Sequence, residues 1–512
     1  MTAATLCDQA TNQEFYGPST MDQSQDPRLR SRTKIVATIG PASAAPEKLA
    51  ALVGAGVDVF RLNMAHAGPD EQQQHVDNVR ALSEEIDEPI AILVDLAGPK
   101  IRLGDLPDDR IFCEIDQIFY FVAGELKTPN ELTSTYPPLL KELQAGDRVI
   151  LADGTVTMVV EAKEPGRVRM RVIQRGTIRS RQGINLPGVK LSAPAISVSD
   201  HQHAIWAAQA GVDFVGLSFV RSPDDVRTLK SILRSCDSTA RVIAKIEKRE
   251  ALVRLEEIVA EADAVMVARG DLGVEIDVAQ MPIEQKRIIA TCHRFGRPVI
   301  IATQMLDSMQ ESPRPTRAEA TDVANAILDG ADACMLSGET AVGNYPLETV
   351  QMMNRIALAT ESSLHGRPPR MTEPNASELH TITRAVVRAA GQVAHDLDAK
   401  LIFVASHSGR TALALSQQRG YVPTVGVSTS EQTLRQMCLH WGVMPLRGAP
   451  ATDMQGLIKH ADEWACRAGY AVKGDRIVIV GGSHLAAGPE GDEMAGGVHD
   501  VVLVHEVEGP HL

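Results

Sequence analysis

Eight times between residues 34 and 362 a short apolar run is paired with a longer amphipathic pattern. The runs are 34–40, 57–64, 90–96, 212–219, 241–246, 264–268, 298–303 and 333–337. They are mostly apolar and β-branched with little polar alternation, which suits strands buried on both faces of a parallel sheet. Helical patterns lie at 46–55, 69–86, 200–210, 223–235, 249–261, 283–295, 317–328 and 347–362. Eight such units predict a closed (β/α)8 TIM barrel. An open doubly wound sheet is the alternative, since it needs no particular count.

The rhythm breaks once, after the third run. From 99 to 191 the chain holds short β-like runs, turns and arginines, with strands expected at 147–152, 155–161 and 167–173 and no long helix. This predicts a small β-domain, a β-barrel lid, inserted into the larger one. A separate α/β domain is expected over 366–512, with strands at 401–405, 424–428, 476–480 and 498–507 and helices at 378–397, 411–418, 431–441 and 454–468. The barrel then occupies 31–98 and 192–365, and the polar residues 1–30 read as a flexible tail.

Composition narrows the function classes. Hydrophobic content of 44% and charged content of 23% fit a globular protein with large cores. A net charge of -14 argues against a broad nucleic-acid footprint. The seven cysteines include no CxxC pair, which fits a reducing cytoplasm. No apolar stretch is long enough for a membrane span.

The chemistry gathers where the apolar runs end. Functional groups of parallel α/β folds collect at the carboxyl ends of strands. The second run ends in Arg61-Leu62-Asn63-Met64-Ala65-His66, and the third in Asp95 followed by Gly98-Pro99-Lys100-Ile101-Arg102. The fourth ends in Ser218, the fifth in Lys245-Ile246-Glu247 and the sixth in Arg269-Gly270-Asp271. The seventh ends in Thr303-Gln304 and the eighth in Ser337-Gly338-Glu339-Thr340. Glu247 and Asp271 leave neighbouring strands and can share a hard divalent cation, Mg²⁺ or Mn²⁺. Arg61 and Lys245 can neutralise an anion bridged to it. That set serves phosphoryl transfer, and equally the stabilisation of an enolate. A salt bridge between Lys245 and Glu247, a structural His66, and capping roles for Ser218 and Thr303 are the plain alternatives. No Walker-type loop is present.

These residues resemble the pyruvate kinase family over nearly the whole chain. The resemblance is carried by Thr33 to Ser43 (TKIVATIGPAS), Gly98 to Arg102 (GPKIR), Lys245-Ile246-Glu247 and Met266 to Glu275. It extends to Ala302 to Leu306 (ATQML), Pro315 to Glu319 (PTRAE) and Met335 to Ala341 (MLSGETA). It implies transfer of phosphate from phosphoenolpyruvate to ADP, giving pyruvate and ATP. It implies Glu247 and Asp271 as metal ligands, Lys245 and Arg61 on the transferring phosphoryl group, and Thr303 in protonating the enolate. Gly270 and Asp271 would receive the substrate carboxylate, with Ser218 beside them, and Arg102, Asn63 and His66 would face the nucleotide. The inserted domain would act as a lid. A metal-dependent barrel lyase and a non-catalytic phosphosugar sensor are the competing readings.

Two further expectations follow. Many family members bind K⁺ through an asparagine, a serine, an aspartate and a threonine. Asn63 and Asp95 are kept here, but the serine and threonine positions hold Ala65 and Leu96, and Lys100 replaces a glutamate. The enzyme is therefore expected not to require K⁺, with the Lys100 ammonium standing in. The run at 401–405 enters Ser406-His407-Ser408-Gly409-Arg410-Thr411, where hydroxyls, a glycine and a helix start suit a phosphate. By the resemblance it binds a sugar phosphate or nucleotide monophosphate that activates a homotetramer.

Overall fold

In the computed structural model, residues 30–65, 68–99, 101–364, 381–451, 453–481 and 501–509 are described. His66 and Lys100 lie outside the described residues, as does nearly all of the expected tail.

Eight parallel strands close into a barrel in chain order. They are Lys34–Thr38, Val59–Asn63, Ala91–Asp95, Phe214–Leu217, Arg241–Ile246, Ala264–Ala268, Val299–Ala302 and Ala333–Leu336, called strands one to eight below. The alternative of an open sheet is thereby excluded. Inward-facing Val36, Val59, Leu93, Ile243, Met266, Ile300 and Met335 fill the barrel. The outward-facing residues form the larger core against the helices.

The helices start where local chemistry dictates. Proline opens Pro46–Gly54, Pro69–Glu85, Pro223–Ser235 and Pro346–Ser362. Ser197 caps Val198–Gln209, and Asp200 returns the bond to the Ser197 amide at 3.1 Å. Asp200 also accepts from the Gly98 amide at 3.2 Å, so one carboxylate ties together the points where the chain leaves the barrel and re-enters it. Gly98 is required there: its φ is +70°, and an added Cβ would lie 2.5 Å from the Phe219 ring. The helix expected at 249–261 is two, Arg249–Val253 and Leu255–Glu261, broken where Arg254 leaves helical geometry (φ -109°, ψ 26°).

The inserted segment is β-rich around its own core of Phe119, Phe121, Val149, Met158 and Met170. Its strands form a six-stranded sheet and a two-stranded ribbon, and residues 101–104 pair with 182–184 at one edge of the sheet and with 133–135 at the other, joining the two edges. The two longest strands, Val156–Glu164 and Arg167–Gln174, are interrupted by register shifts. The C-terminal domain is a five-stranded sheet in the order Val443–Leu446, Thr424–Val427, Leu401–Ala405, Arg476–Gly481, Val501–Glu506, the last antiparallel. Its helix Glu431–Met437 leads into Cys438 and Leu439, which pack with the residues filling the barrel and close its floor.

That floor has a repeat. An aspartate stands one residue before each even-numbered strand: Asp58, Asp213, Asp263 and Asp332. Each accepts the amide of the preceding odd strand, from Ile35, Ile92, Val242 and Val299, at 2.8–2.9 Å. Each also holds a cation. Lys34 pairs with Asp58 and Lys230 with Asp263, both within the barrel. Asp213 instead receives Arg435 at 2.7 Å as well as Arg80, and Asp332 receives Arg419 at 2.9 Å. Arg435 and Arg419 belong to the C-terminal domain, so it grips the barrel at two opposite strands. Asp213 is fully buried between two arginines, whereas Asp263 is partly exposed beside one lysine. Asp213→Asn is expected to cost about 3–5 kcal/mol, because two buried guanidinium groups lose their anion. Asp263→Asn should cost about 1 kcal/mol. Denaturant melts of the two variants check the order, and equal losses would contradict it.

Candidate active site

Period-two alternation aims Arg61, Asp95 and Lys245 from strands two, three and five into the barrel mouth. There they form one network. Asp95 is buried and accepts from Arg61 Nε at 2.8 Å and Nη2 at 2.6 Å. The Lys245 ammonium lies 3.1 Å from Asp95 Oδ1 and 2.9 Å from Glu247 Oε1, and it donates to Ser218 Oγ at 2.7 Å. Ser218 in turn donates to the Leu96 carbonyl at 2.7 Å. Arg61 Nη1 reaches Thr38 Oγ1 at 3.1 Å, and Thr38 and Thr340 exchange bonds of 3.0 and 2.9 Å across strands one and eight.

Electrostatics follow from that geometry. Burial pulls the Lys245 ammonium toward neutrality, but Asp95 and Glu247 outweigh it and hold its pKa above the ordinary lysine value. Burial pushes Asp95 upward, and Lys245 and Arg61 bring it below the usual carboxylate range. Glu247 is raised by burial; Lys245 pulls it back, and the neighbouring Asp271 carboxylate raises it again. The remaining Glu247 oxygen accepts the Phe219 amide at 2.7 Å. Phe219 reaches that amide position only with φ at 55°, a left-handed conformation that is costly for an aromatic residue.

Strand six ends in the short helix Arg269–Glu275, which carries Gly270 and Asp271. The Gly270 amide donates to Thr303 Oγ1 at 2.8 Å. Thr303 and Gln304 are both left-handed, with φ of 70° and 53°. A β-branched residue held there costs about 1–3 kcal/mol. Arg269 sustains it, donating from Nη2 to the Thr303 carbonyl at 2.8 Å and the Gln304 carbonyl at 3.2 Å while Nη1 pairs with Asp322 at 2.6 Å.

Could these residues hold a metal? Among the described residues no group of three or more His, Cys, Asp and Glu is arranged for one. The candidate position is therefore a two-carboxylate one. Its donor set fits a hard cation that keeps water or substrate ligands: Glu247 is buried and raised by Asp271, and no hydrogen bond or ion pair among the described residues engages the Asp271 carboxylate.

Comparison with known proteins decides the family. The family model "Pyruvate kinase, barrel domain" matches residues 30–350, and "Pyruvate kinase, alpha/beta domain" matches 384–491. The pyruvate kinase of Geobacillus stearothermophilus is 39% identical over 458 residues, covering 89% of this chain and 78% of that one. That of Methylorubrum extorquens (strain AM1) is 39% identical over 454 residues, covering 88% and 94%. The chain belongs to the pyruvate kinase family. It is an enzyme of the phosphotransferase class.

Within this pyruvate kinase fold, Arg61, Asp95, Ser218, Lys245 and Glu247 come together as one cluster. Asp271 joins it electrostatically, and Thr303 stands beside Gly270. Arg102 does not join: it lies at the root of the inserted domain and donates to the Arg181 carbonyl at 3.2 Å. Asn63 turns inward on its own chain, accepting the Ala65 amide at 3.1 Å. Leu96 was expected to place an apolar side chain at the cation position. Its side chain instead packs in the core between barrel and helices, because Asp95 takes the inward direction and the next residue must point outward.

The 406–411 loop connects strand Leu401–Ala405 to helix Arg410–Gln417. Gly409 has φ of 75°, and no side chain caps the helix. Ser406 is buried, while His407, Ser408 and Arg410 are exposed.

Sequence reasoning treated Asp95 as a remnant and gave no role to Thr38, Phe219 or the clamp by Arg269. Asp95 lies between two cations, and this fixes what its removal does. Asp95→Asn is expected to lower kcat/KM by about a hundredfold. It should also move the alkaline limb of the pH–rate profile to lower pH, since Lys245 loses an anion that holds its pKa up. An unshifted limb would show that Asp95 does not govern Lys245.

Proposed function

We propose that the barrel-mouth cluster transfers the phosphoryl group of phosphoenolpyruvate to ADP, giving pyruvate and ATP. The observation that carries the reading is the Lys245 ammonium, buried at the end of strand five, beside Arg61 and within 2.9 Å of Glu247. Arg61 and Lys245 bind the phosphoryl oxygens as negative charge builds on them. The bond from phosphorus to the enolate oxygen breaks as the bond to the ADP terminal phosphate forms. Lys245 stabilises the enolate left behind, and Thr303 supports delivery of a proton to its carbon through water. The backbone at Gly270 and Asp271 orients the substrate carboxylate, with Ser218 holding the Lys245 ammonium in place. Arg102 and Asn63 are read as the nucleotide-binding residues, together with His66, which lies outside the described residues.

Glu247 and Asp271 would hold Mg²⁺ or Mn²⁺, which when bound neutralises charge on the phosphoryl and enolate oxygens. The inserted domain, hinged where Asp200 ties Gly98 to Ser197, acts as a lid that excludes water and protects the phosphoryl donor. A coupled assay for pyruvate tests the reaction directly. Glu247→Gln or Asp271→Asn should reduce turnover about a hundredfold or more while leaving the fold intact. A folded variant with near-normal turnover would remove the metal assignment.

The same reading holds that K⁺ is not required. Both Asp95 oxygens already face a cation, and Asn63 Oδ1 accepts the Ala65 amide. Two oxygen ligands of a monovalent ion are thus engaged within the protein. Lys100 would supply the missing positive charge. In a buffer whose only monovalent cation is a quaternary ammonium, turnover should match that in KCl at equal ionic strength. A large stimulation by K⁺ would refute this.

The 406–411 loop is read as a cradle for the phosphate of a sugar phosphate or nucleotide monophosphate that favours the active state of a homotetramer. Its exposed Ser408 hydroxyl and side-chain-uncapped helix start support that role. Changing Ser406, Ser408 and Thr411 together to alanine should abolish activation and leave maximal turnover intact. Activation surviving in that variant would place the effector elsewhere.

A further inference from the structure

The 406–411 loop touches the barrel at the start of the strand that carries the central lysine. Arg241 is the first residue of strand five, and its Nη2 donates to the Ser408 carbonyl at 2.7 Å. The loop is held tightly around that contact. At Gly409 an added Cβ would lie 3.4 Å from Arg241 Nη2, 3.4 Å from Thr433 Cγ2 and 3.6 Å from His440 Cε1, with φ already at +75°. Thr433 Oγ1 donates to the His407 carbonyl at 2.9 Å, so the loop has little room to move without moving Arg241.

The other end of the contact is equally defined. The Arg241 amide donates to the Asp213 carbonyl at 3.0 Å, and Asp213 is itself gripped by Arg435. Two residues earlier, Gln436 Nε2 donates to the Thr239 carbonyl at 3.0 Å. Strand five is in register with strand four over Arg241 to Ala244 and with strand six over Ile243 to Ile246. It spans about 20 Å from Arg241 to Glu247. The extended backbone is continuous between the two, so a displacement of the strand at Arg241 is passed along its axis toward Lys245 and Glu247.

We propose that Arg241 is a positioning residue for the reaction: through its bond to the Ser408 carbonyl, the 406–411 loop sets the position of strand five and hence of Lys245 and Glu247. The regulatory half of this inference rests on reading that loop as a phosphate cradle; the mechanical half does not. An anion bound by the Ser408 hydroxyl and the amides that follow would reorient the Ser408 peptide, and the guanidinium bonded to its carbonyl would follow.

A double-mutant cycle on Arg241 and Gly409 tests this, with kcat and the half-saturating phosphoenolpyruvate concentration measured for the full-length enzyme. Arg241→Ala should raise that concentration about threefold to tenfold and lower kcat with it, since Lys245 and Glu247 both act in the chemical step. Arg241→Lys, which can still donate to the carbonyl, should recover part of the loss. Gly409→Ala, which strains the loop backbone at φ +75° next to the Ser408 carbonyl that Arg241 holds, should have a similar effect, and the double variant should be no worse than the worse single one. Additive effects, or an unchanged half-saturating concentration in Arg241→Ala, would overturn the proposal. The same enzymes are then assayed with inorganic phosphate, a hexose phosphate and a nucleoside monophosphate. Any shift these produce in the parent should vanish in Arg241→Ala, and a full shift in that variant would overturn the regulatory half. A parent indifferent to all three removes the cradle reading alone, since the cycle is read without effector.

Discussion

One buried carboxylate, Asp95, makes the barrel mouth possible. Arg61 and Lys245 are brought side by side from strands two and five, and like charges in a water-poor site repel strongly. Asp95 accepts from both, which lets the protein bury two cations at a bearable desolvation cost. Asp95, Glu247 and Asp271 face Arg61 and Lys245, so anions and cations offset one another within the cluster. Burial first, and then the Asp271 carboxylate, hold Glu247 above its ordinary pKa, while Asp95 and Glu247 hold Lys245 up against its own burial.

The rim is also strained where it is most exact. Phe219, Thr303 and Gln304 adopt left-handed backbone at the ends of strands four and seven. Two of them have a visible use: the Phe219 amide is turned onto Glu247, and the Thr303 hydroxyl onto the Gly270 amide. The strain is maintained from outside, by Arg269 on two successive carbonyls and by a ring that packs against Gly98. Rigid placement of this kind spares the reaction the cost of reorganising its dipoles.

How much of this was legible in the sequence depends on the range of the interaction concerned. The eight barrel strands were legible because apolar runs and helix starts are local signals, and strands 241–246 and 264–268 fall where their composition puts them. Short inserted strands such as Glu131–Leu132 and Ile184–Asn185 were not, since two residues carry no periodicity. Val443–Leu446 was missed because its proline argues against a strand, although it sits at a sheet edge where proline is tolerated. The charged members of the cluster could be listed from strand ends, but not which anion would join them. Asp95 looks no different from Asp271 in sequence; the difference is that it faces inward between two cations. Left-handed Thr303 has no signature at all, because its conformation is imposed by Arg269 from a different strand.

The four floor aspartates divide the barrel into pairs of strands, and the β-domain is inserted inside one of them. In the other three pairs the amide and its aspartate are 23, 21 and 33 residues apart; for Ile92 and Asp213 the separation is 121. Closing the longer loop costs about 1.5 kcal/mol more in chain entropy than closing the shortest. The pair that pays it is the one whose aspartate binds two arginines, one of them from the C-terminal domain. During folding, strands three and four therefore have the most to lose by meeting early and the most to gain from waiting. The barrel is expected to close last at this seam, after the inserted domain has condensed on its own core and the C-terminal domain has brought Arg435 to the floor.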